Sequence, residues 1–171
     1  MARKPMIGLL VTVLMLCGIY VAWCISQPVR VDAVHREGGA SHVSVLVSNF
    51  PWTDRGRINW WLQNKERIKI QFGIPAPDAD GSFEIVFWAW DGTYRIDHGT
   101  DEDSDLRCFN DMQEKANCIV KSDIPLQVSR LKSGITIFDI GWDDRRVYSQ
   151  SKEGDEPKRR RDWEKAENEG E

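Results

Sequence analysis

Twenty consecutive residues, Met6 to Ile25, carry no charge. At about 1.5 Å of rise per residue they make a helix of about 30 Å, the depth of one hydrocarbon core. The run predicts a transmembrane anchor. Beyond it the chain changes to short alternations. Val29 to Val34 and Val43 to Ser48 alternate around Gly38 and Gly39, which predicts a β-hairpin. Phe50, Pro51 and Trp52 end the second strand, and Thr53 or Asp54 can cap a helix that runs to about Phe72. Ile58, Trp61, Leu62, Lys65, Ile68 and Phe72 share one face of that helix, with Lys65 the single break in the apolar stripe. Gly73 supplies the stop.

Phe83 to Trp90 is the most strand-like run of the chain. Asp91 and Gly92 come directly after it, which predicts a second hairpin with Thr93 to Ile96 pairing back. Leu126 to Leu131 and Ile135 to Ile140 are two further predicted strands, separated by a Lys-Ser-Gly turn. Tyr148 is the last residue assigned to the fold. The predicted class is α+β: an N-terminal transmembrane helix, then a small, mostly antiparallel sheet with one packed helix. The expected layout is a short cytoplasmic N-terminus at 1–5, the anchor at 6–25, a periplasmic domain at 26–149 and a charged, disordered tail at 150–171.

An uncleaved anchor is favoured over a signal peptide. The apolar run exceeds the roughly 7 to 15 residues of a signal peptide, and no good small-residue cleavage site lies after it. Tyr20 and Trp23 fit the aromatic belt at the far interface. The flanking arginines and lysines balance, so orientation rests on the cysteines. Cys17 and Cys24 lie in the apolar run, leaving Cys108 and Cys118 as the one pair beyond it. With no histidine at ligand spacing, that pair reads as a disulfide, the alternative being two unrelated buried thiols. A disulfide requires an oxidising compartment such as the bacterial periplasm, with the N-terminus then cytoplasmic.

The chain has 23 basic and 27 acidic residues; without Arg3 and Lys4 the exported part carries a net charge of −6. That balance excludes a nucleic-acid binder. No exported stretch before the tail concentrates basic residues, which argues against a protein that lies along anionic lipid.

The stretch VSVLVSNFPWTDRGRINWWLQNKERIK (Val43 to Lys69), then IPAPDADGSF (Ile74 to Phe83), then RCFNDM and NCI around the two cysteines, resembles the enterobacterial putative membrane protein family, a domain family of unknown function. The resemblance covers roughly residues 5 to 121. It implies a single-pass anchor, a small exported domain and a cysteine pair, and it brings no activity, ligand or catalytic residue.

Candidate chemistry is sparse. His35 and His42 flank the first predicted turn and could approach as two Zn²⁺ ligands, but no third ligand is at hand, so strand-end histidines exposed to solvent are the plainer reading. Asp101, Asp103 and Asp105 alternate like the start of a Ca²⁺ loop; Leu106 and Met112 then occupy the positions of its glycine and its bidentate glutamate. A solvated acidic loop is expected instead. The sequence contains no nucleophile elbow, zinc-protease motif or phosphate loop, so no enzyme, metal or cofactor is expected. Seven tryptophans lie beyond the anchor, at positions 52, 60, 61, 88, 90, 142 and 163. Trp61 belongs to the apolar helix face while Trp60 points about 100° away, and Trp88 and Trp90 share a strand face opposite Phe87. Trp60, with Trp52 near it in the loop, is the candidate binding surface.

The expected function is a single-pass inner-membrane protein with a periplasmic domain that binds another protein. Its partners are the membrane, through the integral anchor, and an unknown protein, with no nucleic acid. The sharper form is an immunity-type protein that neutralises a toxin, since acidic surfaces speed association with basic partners. The alternative is a structural or accessory component of the cell envelope or of a secretion assembly.

Overall fold

Alternating valines build the centre of the molecule, and the helix after them turns the chain back over its own sheet. The structure is a computed structural model and describes residues 12–20, 27–36, 39, 41–121, 124–141 and 144–160. A helix α1 occupies 12–20. Strands β1 (Arg30–Arg36) and β2 (His42–Ser48) lead into helix α2 (Asp54–Phe72) and strand β3 (Phe83–Ala89). Three short strands come next, β4 (Arg95–Ile96), β5 (Leu106–Cys108) and β6 (Ala116–Val120). The chain ends in β7 (Leu126–Arg130), β8 (Thr136–Ile140), β9 (Arg146–Gln150) and β10 (Lys158–Arg159). Seven strands form one sheet in the order β1-β2-β3-β7-β8-β9-β10, and β4-β6-β5 form a second.

Strands β1 and β2 pair antiparallel, as the alternation predicts. A register shift between Val31 and Ala33 inserts Asp32 as a bulge, where its carboxylate accepts from Arg30 and the Ser48 hydroxyl. The bulge lets Val31 and Val34 both reach the helix side while Ala33 reaches the other. Strands β2 and β3 run parallel, which requires the crossover that α2 supplies. Thr53 caps α2 by accepting from the Gly56 amide at 3.1 Å, and Gly73, at a left-handed φ of 69°, closes it with its N–H on the Lys69 carbonyl. A Cβ on Gly56 would stand 2.8 Å from the Thr53 hydroxyl, so the first turn needs glycine there.

Helix α2 buries Ile58, Trp61 and Ile68 against Val43, Val45, Val47, Phe83, Ile85, Phe87, Leu126, Val128, Phe138 and Ile140. Each such side chain taken fully from water contributes about 1.5–3 kcal/mol. On the opposite face of the large sheet, Leu46 and Trp88 pack with Phe109, Ile119 and Ile124. The molecule therefore has three layers: helix, seven-stranded sheet, three-stranded sheet.

The expected fold class is corrected here. Among the described residues no helix is long and apolar enough to cross a membrane. Nine residues of α1 rise only about 14 Å; the rest of the expected anchor, 6–11 and 21–25, lies outside the described residues. Beyond α1 the chain is mostly β, in two sheets rather than one. The second hairpin is also corrected. Residues Arg95 and Ile96 pair with β6 in the small sheet, not back onto β3, whose two edges are already taken by β2 and β7. Beyond Tyr148 the chain stays in the fold: β9 runs to Gln150, and Lys158 and Arg159 add the last strand, where a disordered tail was expected. Residues 161–171 lie outside the described residues.

One covalent tie closes the small sheet, and one charged cluster ties the helix to the large sheet. Cys108 and Cys118 sit directly opposite each other in β5 and β6 and are joined by a disulfide. Asp54, in the first turn of α2, receives Arg146 at 2.7 and 3.1 Å and the Tyr148 hydroxyl at 3.0 Å, which pins the helix start to β9. Burial alone would raise the Asp54 carboxyl, but the hydrogen bonds from Arg146 and Tyr148, with the Arg146 charge, outweigh it and hold its pKa below the ordinary value.

Replacing both cysteines by serine is expected to lower stability by about 3 kcal/mol in the chain-entropy model, read as an earlier thermal midpoint that reducing agent does not lower further. Asp54→Asn is expected to cost about 2 kcal/mol at neutral pH. Because the folded-state pKa is depressed, that contribution is present above the unfolded pKa of about 4 and is lost as pH falls through the lower folded value. Denaturant curves of wild type and variant should therefore differ at pH 7 and converge in acid.

Candidate functional site

The two groups of residues singled out by sequence fall in different parts of the fold. Trp52 stands on the loop between β2 and α2 with 85% of its surface exposed. Trp60 is partly buried, its ring edge-on to Phe50 at 4.8 Å and to Phe87 at 5.7 Å. It fills the space between helix and sheet beside Trp61, so the 100° offset from Trp61 turns it along the sheet rather than into water. Trp88 and Trp90 share a face, as the alternation requires, and the small sheet covers it. Trp142 and Trp163 lie outside the described residues.

His35 is not a solvent-exposed strand end. It is 5% exposed and lies between the two sheets. Its Nδ1 is 2.9 Å from Asp111 and its Nε2 is 2.8 Å from the Tyr94 hydroxyl, while Phe109 stacks on the ring at 3.9 Å. A carboxylate only accepts, so Nδ1 carries a proton toward Asp111, and Nε2 shares the second hydrogen bond with the Tyr94 hydroxyl. Burial, then the Asp111 charge, raises the Tyr94 pKa and keeps that phenol protonated. Asp111 also accepts from the Arg36 amide at 3.0 Å. The network fastens the β3–β4 and β5–β6 connections to β1, with both ring nitrogens engaged. His42 is on the other strand and bonds Ser41, so the two histidines do not converge.

The acidic stretch is used internally. Thr100 and the His98 amide donate to Asp103, which lowers its pKa, and Asp97 caps the Gly99 amide. Among the described residues no three His, Cys, Asp or Glu side chains are placed to hold a metal.

A feature that periodicity did not single out lies along the C-terminal half of α2. There a cavity of about 180 Å³ opens between the helix and the ends of β3, β7, β8 and β9. Trp61, Leu62, Phe83, Pro75 and Pro77 give it apolar lining, and Lys65, Lys69, Arg130, Glu66 and Glu153 give it charge. Lys65 donates to Glu153, and this bond, then the Lys65 charge, holds the Glu153 carboxyl below its ordinary value. The one visible signal in sequence is Lys65 itself, the break in the apolar stripe, which lines the groove while Ile68 one turn later still packs on the sheet. The groove is at the end of the sheet opposite Trp52, since β2 and β3 run from the groove end toward the Trp52 loop.

Comparison with curated proteins gives no match, and neither does comparison with solved structures. The sequence pattern of one family does match, over residues 1–160, and so spans the helix α1, both sheets and the acidic stretch. The chain belongs to the family described as enterobacterial putative membrane protein (DUF943), a family of unknown function.

Proposed function

We propose that this protein is attached to the inner membrane by its uncharged N-terminal stretch, stands with its folded domain in the periplasm, and works by binding another protein rather than by catalysis. Membership of a membrane protein family supports the attachment. So does α1, whose Val13, Leu14, Met15, Leu16 and Ile19 are all half exposed or more; that much apolar surface left in water is costly and is relieved by lipid. The Cys108–Cys118 disulfide supports the oxidising side of the membrane.

The observation that carries the binding role is the groove along α2. It combines an apolar lining with three cations against two carboxylates, and Lys65 is already committed to Glu153. Lys69 and Arg130 are exposed. A partner segment that fits it offers one apolar or aromatic side chain for the space beside Trp61 and Phe83, flanked by a carboxylate for Lys69 or Arg130. Local charge at the groove, rather than the net charge of −4, then sets the docking. Capture of an incoming toxin is the sharper form of this reading, and a resident envelope partner is its alternative.

The test is in-cell crosslinking of the tagged full-length protein followed by mass spectrometry, with Lys69→Glu and Arg130→Glu combined as the comparison. Both side chains are exposed, so the variant should fold as wild type. The expected result is one protein partner recovered with wild type and at least tenfold less with the variant, the factor that about 1.4 kcal/mol of lost binding energy gives. A secreted toxin as that partner identifies the immunity form, and a resident envelope protein the accessory form. Equal recovery from both proteins would contradict the groove as the site.

A further inference from the structure

We propose that the Trp52 end of the domain rests on the bilayer surface, with the Trp52 indole seated in the lipid interface. This rests on the membrane attachment proposed above and adds an orientation to it. The argument is one of chain length. The uncharged stretch ends at Ile25, and the chain is held to the fold from Pro28 and Val29 onward, because the Asn49 side chain donates to the Pro28 carbonyl and Val29 packs on the core. Only Ser26 and Gln27 lie between Ile25 and Pro28, three Cα steps with a reach of about 10 Å even when fully extended. Asn49 is in turn three residues from Trp52, again at most about 10 Å. Trp52 is thus confined near the point where the chain meets the membrane.

Space and chemistry then select the occupant. These reaches sum to no more than about 25 Å, below the roughly 34 Å diameter of a folded domain whose radius of gyration is ~13 Å, so a globular partner has little room there. Lipid has no such limit. The indole of Trp52 is 85% exposed, which for an isolated ring in water is unfavourable and at a lipid interface is favourable: its ring enters the acyl boundary and its N–H stays with the headgroups. Nearby charges are balanced rather than basic: Arg30 pairs with Asp32, Arg55 with Glu156, Arg145 with Asp139 and Arg146 with Asp54 and Asp144, while Arg57 donates to the Pro51 and Pro125 carbonyls beside Asp54. The seating therefore needs no anionic lipid. It also leaves the groove along α2 at the far end, open to the periplasm.

The experiment uses the full-length protein in phosphatidylcholine vesicles, with and without lipid brominated on its acyl chains, compared with Trp52→Ala. Vesicle flotation is measured on the same samples. The expected result is co-flotation of both proteins, and a difference emission, wild type minus variant, that is blue-shifted and quenched by the brominated lipid. Co-flotation with a difference emission typical of indole in water, unquenched, would overturn the seating alone. Failure to co-float would overturn the attachment and the seating with it. A photocrosslinking residue at position 52 that captures protein rather than lipid in cells would also overturn the seating.

Discussion

Strands β2 and β3 are apolar on both faces, and covering both is the constraint on which the rest of the structure depends. Val43, Val45 and Val47 face one way while Leu46 faces the other, and Ile85 and Phe87 are likewise opposed by Trp88. A sheet centre of this kind cannot face water on either side. The first cover comes from the crossover that a parallel β2–β3 pair needs anyway, the 19-residue helix α2. The second is the small sheet, whose strands of two, three and five residues cannot hold themselves together. Their stability is supplied by the Cys108–Cys118 bond within the sheet and by the His35 network that fastens the β3–β4 and β5–β6 connections to β1.

Legibility in the sequence tracks the length of each element. Helix α2, the β1–β2 hairpin and the β7–β8 pair have clear periodicity and stand where the pattern puts them, with Thr53 and Gly73 at the helix ends. The small sheet has no pattern to read: β4 has two residues, and Arg95 and Ile96 find their partner 20 or more residues later through Cys118 and Ala116. That non-local pairing defeats the strong local hairpin signal of Asp91 and Gly92. The Asp32 bulge similarly changes the side to which His35 points, so that it meets Tyr94, Phe109 and Asp111 of the small-sheet layer, a contact that no spacing along the chain announces. The last strand, Lys158 and Arg159, is fully polar and is specified only by backbone bonds to β9.

For the candidate site, sequence reasoning found the aromatic residues but not their division of labour. Trp60 is needed by the core, beside Phe50 and Phe87, and Trp52 alone of the pair is presented outward. The groove combines residues from α2, the Pro75–Pro77 connection and four strands, a set that no spacing along the chain announces. Its position at the far end from Pro28 gives the molecule two distinct poles. One pole is short-tethered to the uncharged stretch, and the other carries a charged, partly apolar recess suited to a partner.

Fold and placement meet in the small sheet: as a cover for Leu46 and Trp88 it depends on the Cys108–Cys118 bond, and that bond depends on an oxidising compartment. The most direct test is to trap thiols in intact cells by acid quench and alkylation, then read the state of Cys108 and Cys118 by mass spectrometry of the full-length protein. The account predicts that the pair is oxidised throughout while Cys17 is alkylated as a free thiol. A reduced pair in cells that otherwise contain folded protein would contradict the periplasmic placement and the role given to the disulfide.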